Sequence, residues 1–318
     1  MGLSLLVIVL HYNGLADTLE CVASLGRQTY RNVHTIVIDN GSAELANPRL
    51  AADYPWVEVI ELGDNLGWSG GNNTGIRLAI ERNYDVVCLL NNDTVLPAHA
   101  AAKLMESAAV LGPCILHPAI DSYGRDDEPQ LDPTIPQPPE LEVAPVAGRT
   151  DLFEISSVNG ACLLAHCSVF KRIGLIDERF FLLCEDGELG ARAVSAGYRL
   201  FCDVSVRIQH KESRSFGGKR TPIKTYYGIR NMLLCLETPR GFWRALPSSG
   251  RQLVWMVWST AEAAGDRPRS WWRLLRWSIS ANIFAHAVRM GVRDYLFRRF
   301  GRLNSRDEAI LVTKASPP

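Results

Sequence analysis

The chain has 318 residues, 47% of them hydrophobic, with 34 basic and 34 acidic side chains and a formal net charge of zero. This length suits one large α/β domain or two smaller ones, and the composition excludes a disulfide-rich miniprotein and a disordered chain. A neutral chain lacks the basic surplus of a general nucleic-acid binder, so we expect no nucleic-acid partner.

The cysteines and the N-terminus indicate a reducing compartment. The eight cysteines form no CxxC pair, which argues against a zinc or redox motif, and most lie in apolar runs typical of buried thiols. Residues 1–10 are apolar without a basic region or a cleavage site, so they predict a buried strand rather than a signal peptide. No run of 18 uncharged apolar residues occurs, and we expect no clear transmembrane span.

Short apolar strands alternate with helices through the first third of the chain. We predict strands at Leu5–Leu10, Thr35–Ile38, Val57–Leu62 and Val86–Leu90, and helices at Asp17–Leu25 and Gly75–Arg82. Continuously apolar strands predict a mostly parallel sheet that is covered on both faces. Ligands bind such sheets beyond the carboxyl ends of the strands. Three of the four strands run into polar residues there, namely His11-Tyr12-Asn13, Asp39-Asn40 and Asn91-Asn92-Asp93.

The middle of the chain is rich in proline. Residues 113–145 hold eight of the seventeen prolines and an acidic run at 126–128, which predicts a loop over about residues 113–150. Such a loop is either a lid beside a site or a solvated insertion. Ordered structure resumes at Ile155, Leu200–Ile208 predicts a strand, and residues 239–303 are predicted to be helical.

Two segments of the first third could bind anionic ligands or cations. Asn91-Asn92-Asp93 follows a strand and offers oxygen ligands for a hard divalent cation, although the same tripeptide also forms simple turns. The glycine-rich segment 65–75 lets the backbone approach a ligand closely and opens a helix whose N-terminus favours anions. It matches neither a Walker loop nor a dinucleotide fingerprint, and it could be a tight structural turn.

Two later features carry titratable groups. Glu185-Asp186 precedes a predicted helix that ends at Gly197, so Asp186 is either the cap of that helix or a general base facing a cleft. His210 follows a predicted strand and either has a structural role or completes a metal site begun by Asp93.

In this order the motifs resemble family 2 glycosyltransferases of the GT-A type, in particular the bacterial rhamnosyltransferase-like branch. The resemblance covers about residues 5–231 and rests on segments 7–13, 39–42, 65–75, 90–94, 159–161, Asp177-Glu178, Phe180-Phe181, Glu185-Asp186, His210 and 226–231. It implies a GT-A catalytic domain at 1–231, with a Rossmann-like, mostly parallel sheet flanked by helices, followed by a helical segment at 232–318.

The resemblance also implies a role for each matching residue. Donor-binding positions would be His11, Tyr12, Asn13, Asp39, Asn65, Gly70, Asn72, Asn73 and Asn92. Asp93, Asn91 and His210 would hold Mg²⁺ or Mn²⁺, and Asp186 would be the catalytic base supported by Glu185. Asn91 stands where the family motif has an aspartate, and Asn72 stands where other members place an arginine.

The implied activity is that of a metal-dependent, inverting hexosyltransferase. It would move a sugar, with rhamnose as a candidate, from a nucleotide-diphosphate donor to a glycan or polyprenyl-linked hydroxyl in cell-surface polysaccharide synthesis. A nucleotidyltransferase would carry a basic glycine-rich loop after the first strand, which His11-Tyr12-Asn13-Gly14 is not. An inactive, sugar- or partner-binding relative would be expected to lose the acidic pair or the Asn-Asn-Asp motif, and both are present.

The charges are segregated along the chain. Residues 239–303 contain twelve arginines, no lysine and three acidic residues, a net charge of +9, so the remainder carries −9. The same segment holds six of the eight tryptophans. Arginine with tryptophan is typical of helices at a membrane interface, which predicts a peripheral protein on the cytoplasmic face of an anionic membrane. The alternative is a helical subdomain packed on the catalytic core.

Overall fold

The computed structural model describes residues 2–44, 46–122, 144–145, 148–211, 221–238 and 241–313. The chain forms two compact units. The first comprises Met1–Ile176 and Leu189–Ser215, and the second comprises Asp177–Glu188 and Phe216–Pro318. Residue 231, the predicted domain boundary, lies inside a helix of the second unit.

The first unit is built around one mixed sheet. Its strands are β1 (Leu5–His11), β2 (Val33–Asp39), β3 (Glu58–Glu61), β4 (Val86–Asn91), β5 (Thr94–Val95), β6 (Ile115–Ser122), β7 (Ala144–Pro145), β8 (Leu152–Ile155), β9 (Cys162–His166) and β10 (Leu200–His210). The strand order is β3-β2-β1-β4-β9-β6-β10-β8-β7, with β5 pairing to β10. Of these ten strands in the described part of the chain, all but β5, β8 and β9 run in one direction.

Helices cover both faces of this sheet. They are α1 (Leu15–Gly26), α2 (Asn47–Asp53), α3 (Gly67–Glu81), α4 (Ala100–Leu111), α5 (Cys167–Ile173) and α6 (Glu185–Ser195), the last of which begins in the second unit. Leu5, Val7 and Val9 of β1 enter one hydrophobic core, and Leu6 and Ile8 enter another. Successive residues of a strand point to opposite faces, so burial of all of them confirms the predicted two-sided covering.

Helix α3 begins earlier than the sequence indicates. The predicted helix starts at Gly75, whereas α3 starts at Gly67 and contains most of the glycine-rich segment. A Cβ on Gly71 would lie 2.4 Å from Leu10 Cδ1, and one on Gly75 would lie 2.5 Å from Ile8 Cδ1. These two glycines therefore let α3 pack directly against β1, so the segment is neither a tight turn nor a loop that precedes the helix.

The described part of the proline-rich segment contains regular strands. Ile115–Ser122 form β6, which pairs in parallel with β10. Strands β7, at Ala144–Pro145, and β8, from Leu152, both begin before Ile155, where the sequence predicts that ordered structure resumes. Pro118 lies within β6 at a position where the register with β10 shifts between Asp203 and Arg207, the kind of irregularity that accommodates a proline. Residues 123–143 lie outside the described residues.

The second unit is helical. Its helices are α7 (Pro222–Glu237), α8 (Phe242–Ala263), α9 (Trp271–Ser278), α10 (Ile283–Leu296) and α11 (Ser305–Thr313). Ser270 caps α9 and Asn282 caps α10 through side-chain oxygens that accept backbone N–H groups. Phe180, Leu233, Trp277 and other apolar side chains form its core. In the described part of the chain no helix is both long and apolar enough to cross a membrane.

All eight cysteines are free thiols. Five are buried and three are half-buried, as their apolar sequence context predicts. Cys88 and Cys162 lie on the neighbouring strands β4 and β9, with 3.9 Å between their sulfur atoms.

Candidate active site

The polar residues that end β1 and β2 lie side by side at the edge of the sheet. The strand register sets His11 beside Asp39, and both side chains are fully buried. His11 Nδ1 lies 2.7 Å from Thr18 Oγ1, and His11 Nε2 lies 4.0 Å from Asp39 Oδ2. Burial lowers the pKa of His11 despite the opposing effect of Asp39, so the imidazole is neutral at pH 7.

Asp39 holds the loop that follows its own strand. Its Oδ1 accepts a hydrogen bond from the Ser42 backbone N–H, and its Oδ2 accepts one from Ala46, both at 3.0 Å. Asn13, at a left-handed φ of 57°, ties the loop after β1 to the same segment, because its N–H donates to Ser42 Oγ and its Oδ1 accepts from Ala43. Tyr12 is half-buried at the end of β1.

The Asn-Asn-Asp motif follows β4, and its three side chains have different partners. Asn91 Oδ1 accepts a hydrogen bond of 2.9 Å from the Trp68 indole N–H. Asn92 donates to Thr18 Oγ1 at 2.9 Å and to the Asn13 carbonyl at 3.3 Å, which joins this motif to the end of β1. Asp93 is buried and faces His210.

Asp93 and His210 form the acid–imidazole pair that the sequence predicts as metal ligands. The register of β5 and β10 sets His210 beside Thr94, and His210 Nε2 lies 3.1 Å from Asp93 Oδ1. This buried nitrogen makes no hydrogen bond, so it faces the carboxylate without the angle that a hydrogen bond requires. A carboxylate oxygen and an imidazole nitrogen that converge in this way fit a divalent cation.

The described residues supply few ligands for such a cation. The residues that the structure describes contain no group of three or more histidine, cysteine or acidic side chains able to hold a metal. Mg²⁺ and Mn²⁺ commonly use one or two protein ligands together with substrate phosphates and water. Asp93 and His210 fit that pattern, whereas Asn91 has its side-chain oxygen engaged by Trp68.

The predicted donor-binding residues around α3 have mainly structural contacts. Asn65 Oδ1 accepts from Asn40 and from the Gly67 N–H at the start of the helix. Asn73 exchanges two hydrogen bonds with the Ile176 backbone, at 2.8 and 3.0 Å. Asn72 differs, because its Nδ2 donates to Trp68 while its buried Oδ1 has no hydrogen-bond partner. Gly70 is buried, and a Cβ there would lie 2.7 Å from Leu66 Cβ.

The acidic pair belongs to the second unit, at the start of α6. Glu185 is buried, and its Oε2 has no hydrogen-bond partner. Burial, and then the neighbouring Asp186, raise the pKa of Glu185 to about 8. Asp186 is half-buried, and its Oδ1 accepts a 2.8 Å hydrogen bond from the Gly187 N–H in the first turn.

The loop before this pair is strained. Phe181, Leu183 and Cys184 have φ values of 60°, 70° and 71°, a left-handed region that side chains with a Cβ rarely adopt. Each such residue costs about 1–3 kcal/mol and persists only where the surroundings hold it. The backbone that leads into Glu185 therefore needs support from elsewhere in the unit.

Two buried residues of α7 provide that support. Asn231 Nδ2 lies 2.6–2.9 Å from the carbonyl oxygens of Phe180, Leu182 and Leu183. Arg230 is 1% exposed, and its guanidinium donates to the Phe180 and Gly301 carbonyls. The sequence motif 226–231 contributed to the family resemblance, but its structural role could not be read without the contacts.

The sequence also missed residues that orient the predicted site. Thr18 joins His11 to Asn92, and Trp68 binds Asn91. Lys211, next to His210, forms an ion pair with Asp17 at 2.6 Å and also with Glu20. Thr18 and Asp17 lie in a predicted helix and Trp68 in the glycine-rich segment, and these local contexts do not indicate the contacts that the three side chains make.

The sheet, its two-sided helical cover and the polar residues beyond its strand ends agree with the GT-A fold of similar solved structures. The chain belongs to glycosyl transferase family 2, whose family model matches residues 6–174. It is an enzyme of the glycosyltransferase class, and its similarity extends to rhamnosyltransferases.

Two relatives and one solved structure are similar to this chain. An N-acetylglucosaminyl-diphospho-decaprenol L-rhamnosyltransferase of Mycobacterium tuberculosis is 26% identical over 70% of this chain and 81% of its own length. The dTDP-rhamnosyl transferase RfbF of Shigella flexneri is 22% identical over 74% of this chain and 81% of its own. The mannosyltransferase PcManGT of Pyrobaculum calidifontis, solved with GDP-Man and Mn²⁺, has a TM-score of 0.58 at 15% identity, over 94% of this chain and 88% of its own.

Proposed function

We propose that this glycosyltransferase moves a sugar from a nucleotide-diphosphate donor to a hydroxyl group, with inversion at the anomeric carbon and with Mg²⁺ or Mn²⁺ bound. The observation that carries this proposal is the approach of His210 Nε2 to Asp93 Oδ1 without a hydrogen bond. Asp93 belongs to the Asn-Asn-Asp motif at the end of β4. In the same motif, Asn92 hydrogen-bonds Thr18 and the Asn13 carbonyl in the loop after β1.

The donor would bind beyond the carboxyl ends of β1, β2 and β4. The buried His11–Thr18 pair and the hydrogen bonds of Asp39 to its own loop fix the backbone there and leave Tyr12 and Asn13 at the rim to contact the nucleoside. Asn72 Oδ1 is a buried acceptor without a partner, and a hydroxyl of the donor would satisfy it. In this proposal Asp39, Asn65 and Asn73 act on the donor through the loops that they hold.

Asp93 and His210 would hold the cation, with the donor diphosphate as a further ligand. When bound, a divalent cation stabilises the negative charge that develops on the leaving nucleoside diphosphate. The neutral His11, buried below the loop after β1, adds no charge to this region.

Asp186 would act as the general base. It would accept the proton of the acceptor hydroxyl while the hydroxyl oxygen attacks the anomeric carbon and the bond to the diphosphate breaks, so that a single displacement inverts that carbon. Its carboxylate is half-buried and stands in the first turn of α6 after a loop held by Asn231. Glu185, with a raised pKa, would hold a proton near neutral pH and would leave the base role to Asp186.

The relatives support rhamnose as the sugar and a lipid-linked sugar as the acceptor. Two of them are named as rhamnosyltransferases, and one of these is named for an acceptor that carries N-acetylglucosamine on diphospho-decaprenol. We extend both assignments to this chain, which would then serve cell-surface polysaccharide synthesis at the cytoplasmic face of a membrane. The arginine- and tryptophan-rich segment 239–303 is consistent with that location.

The proposal is tested by incubating the purified chain with a panel of nucleotide sugars, each with an N-acetylglucosaminyl-diphospho-polyprenol acceptor and Mg²⁺ or Mn²⁺. We expect dTDP-rhamnose to release nucleoside diphosphate and to give a product of inverted anomeric configuration. Activity should vanish in EDTA and return when excess Mn²⁺ is added.

Asp186→Asn serves as the matched variant in this assay because it keeps the side-chain shape and removes the base. We expect at least about a hundredfold loss of turnover with unchanged circular dichroism. Turnover near that of the wild type in this variant would remove Asp186 from the base role. Full activity in chelator would contradict the metal site, and no activity with any donor would favour an inactive relative.

A further inference from the structure

Tryptophan and other apolar side chains are exposed along α9. Trp271 is 65% exposed, Trp272 77%, Leu275 52% and Ile279, which follows the helix, 70%. At about 100° of rotation per residue these four side chains fall within an arc of about 100°. The surface formed by these four side chains and by Val254, Trp255 and Trp258 of α8 is called the tryptophan face.

The tryptophan face continues onto α8. Trp258 and Trp271 meet edge to face, with ring centroids 6.1 Å apart. Val254 and Trp255, which share a side of α8 with Trp258, are also exposed. The indole N–H of Trp258 donates to Glu262, which is the acidic residue on this side of the helix. The second unit therefore presents one apolar surface built from two helices.

The other sides of α9 have different properties. Leu274 and Trp277 are buried in the core of the second unit, and the Trp277 indole donates to Asp266, so α9 is anchored in a fixed rotation. Arg276 is exposed next to Trp272 at one edge of the tryptophan face, and Arg273 is exposed further round the helix. Arg267 and Arg269 are exposed in the turn that precedes the helix. The apolar arc thus has cations at one edge and in the preceding turn.

We infer that the tryptophan face docks on the surface of an anionic phospholipid bilayer, with the indoles at the headgroup level and the arginines on lipid phosphates. Tryptophan is favoured at that depth because its ring is apolar while its N–H still requires a polar partner. Each arginine near an anionic surface strengthens the attraction. A symmetric dimer through the same face would bring the arginines of both copies together, which disfavours a second copy as the occupant.

This inference deepens the proposed function, since a lipid-linked acceptor would lie in the same bilayer. The test of membrane docking needs neither donor nor turnover. A failure of docking therefore does not imply a failure of the proposed glycosyl transfer, and the reverse also holds. The probe is flotation of the full chain with vesicles of phosphatidylglycerol and phosphatidylcholine, compared with vesicles of phosphatidylcholine alone.

We expect the wild type to float with the anionic vesicles and to bind them at least about tenfold more tightly than neutral vesicles. The double variant Trp271→Ser/Trp272→Ser should bind at least about tenfold more weakly, and Arg273→Gln/Arg276→Gln should lose mainly the preference for anionic lipid. Trp56→Ser, at a 48% exposed tryptophan of the first unit, should bind like the wild type. Circular dichroism checks that each variant is folded.

Flotation of the Trp271/Trp272 double variant equal to that of the wild type would overturn the inference. So would failure of the wild type to float with anionic vesicles. A wild type that dimerises in solution and loses dimerisation in the double variant, without binding vesicles, would assign the face to a second copy instead.

Discussion

Glu185 is a buried acid whose surroundings determine its protonation. Its carboxyl is buried, Asp186 follows it in the chain, and Oε2 has no hydrogen-bond partner. Burial and the negative charge of Asp186 both disfavour a second negative charge on Glu185, which is why its pKa rises from 4.5 to about 8. The folded protein therefore retains a proton on Glu185 at a pH where the unfolded chain releases it.

This proton makes stability fall with rising pH. Between about pH 4.5 and 8 unfolding releases the Glu185 proton, so the contribution of this residue to the free energy of unfolding decreases through that window. In Glu185→Gln the neutral amide has no such dependence. We expect the variant to gain stability relative to the wild type as pH rises from 4.5 to 8, measured by urea denaturation across that range.

Glu58→Gln is the matched control, because the pKa of Glu58 is shifted in the opposite direction and its effect on stability changes with pH in the opposite sense. A hydrogen bond from Arg82 lowers the pKa of Glu58, so this residue contributes stability above pH 4.5 and loses it as pH falls. Its variant should lose stability relative to the wild type above that pH. A constant difference between Glu185→Gln and the wild type over the whole range would show that folding does not raise the pKa of Glu185.

At the scale of elements, α7 holds the loop that leads into the acidic pair. Three residues of this loop have left-handed φ values, and its carbonyl oxygens are gathered around Asn231 Nδ2. A helix is a rigid support, so its buried amide can maintain a backbone that is unfavourable by itself. The position of Asp186 would then depend on a residue 45 positions later in the chain.

We expect Asn231→Ala to lower kcat at least about tenfold, because the loop carbonyls lose their donor and the loop relaxes. Asn282→Ala removes the cap of α10 in the same unit and should cost about 1 kcal/mol of stability with little change in kcat. The measurement is kcat and thermal unfolding for both variants. An equal loss of kcat in both would indicate general destabilisation rather than positioning of the loop.

Helix α3 packs directly against strand β1 at Gly75. A Cβ on Gly75 would lie 2.5–2.9 Å from three atoms of Ile8, closer than real Cβ atoms approach their neighbours. Overpacking of a core commonly costs about 1–3 kcal/mol, more than the gain of up to about 1 kcal/mol in helix propensity. The glycine is therefore required by packing.

We expect Gly75→Ala to lower the free energy of unfolding by about 1–2 kcal/mol. Adding Ile8→Val removes the nearest atom and should restore part of the loss. Gly250→Ala, in α8 with open space around its Cβ, should be neutral or slightly stabilising. Chemical denaturation measures all three, and a neutral Gly75→Ala would show that α3 can move away from β1.

At the scale of the whole molecule, the neutral net charge is the sum of two unlike parts. Residues 239–303 carry +9 and the remainder carries −9. In the second unit several arginines near the apolar surface are exposed, while others, such as Arg298 with Glu237, are paired. Exposed arginines lie next to the tryptophan face. The arginines and tryptophans of this segment therefore form one apolar and basic surface.

Much of the sheet could be predicted because strand burial is encoded locally. Short continuous apolar runs such as Leu5–Leu10, bounded by polar residues, favour a strand covered on both sides, and all four predicted strands exist. The start of α3 and strand β6 could not be predicted in the same way. Glycine and proline disfavour regular structure locally, whereas packing against β1 and pairing with β10 favour it here.

The family, the alternation of strands and helices, and the types of polar residue beyond the strand ends could be inferred from the sequence, because these depend on short motifs and local periodicity. Which of those residues hold loops and which face one another is visible only in the folded chain. Asn73 and Asp39 have backbone partners, whereas Asp93 meets His210 from a distant strand. Such pairings arise from strand register and helix packing between residues far apart in the chain, and no local pattern encodes them.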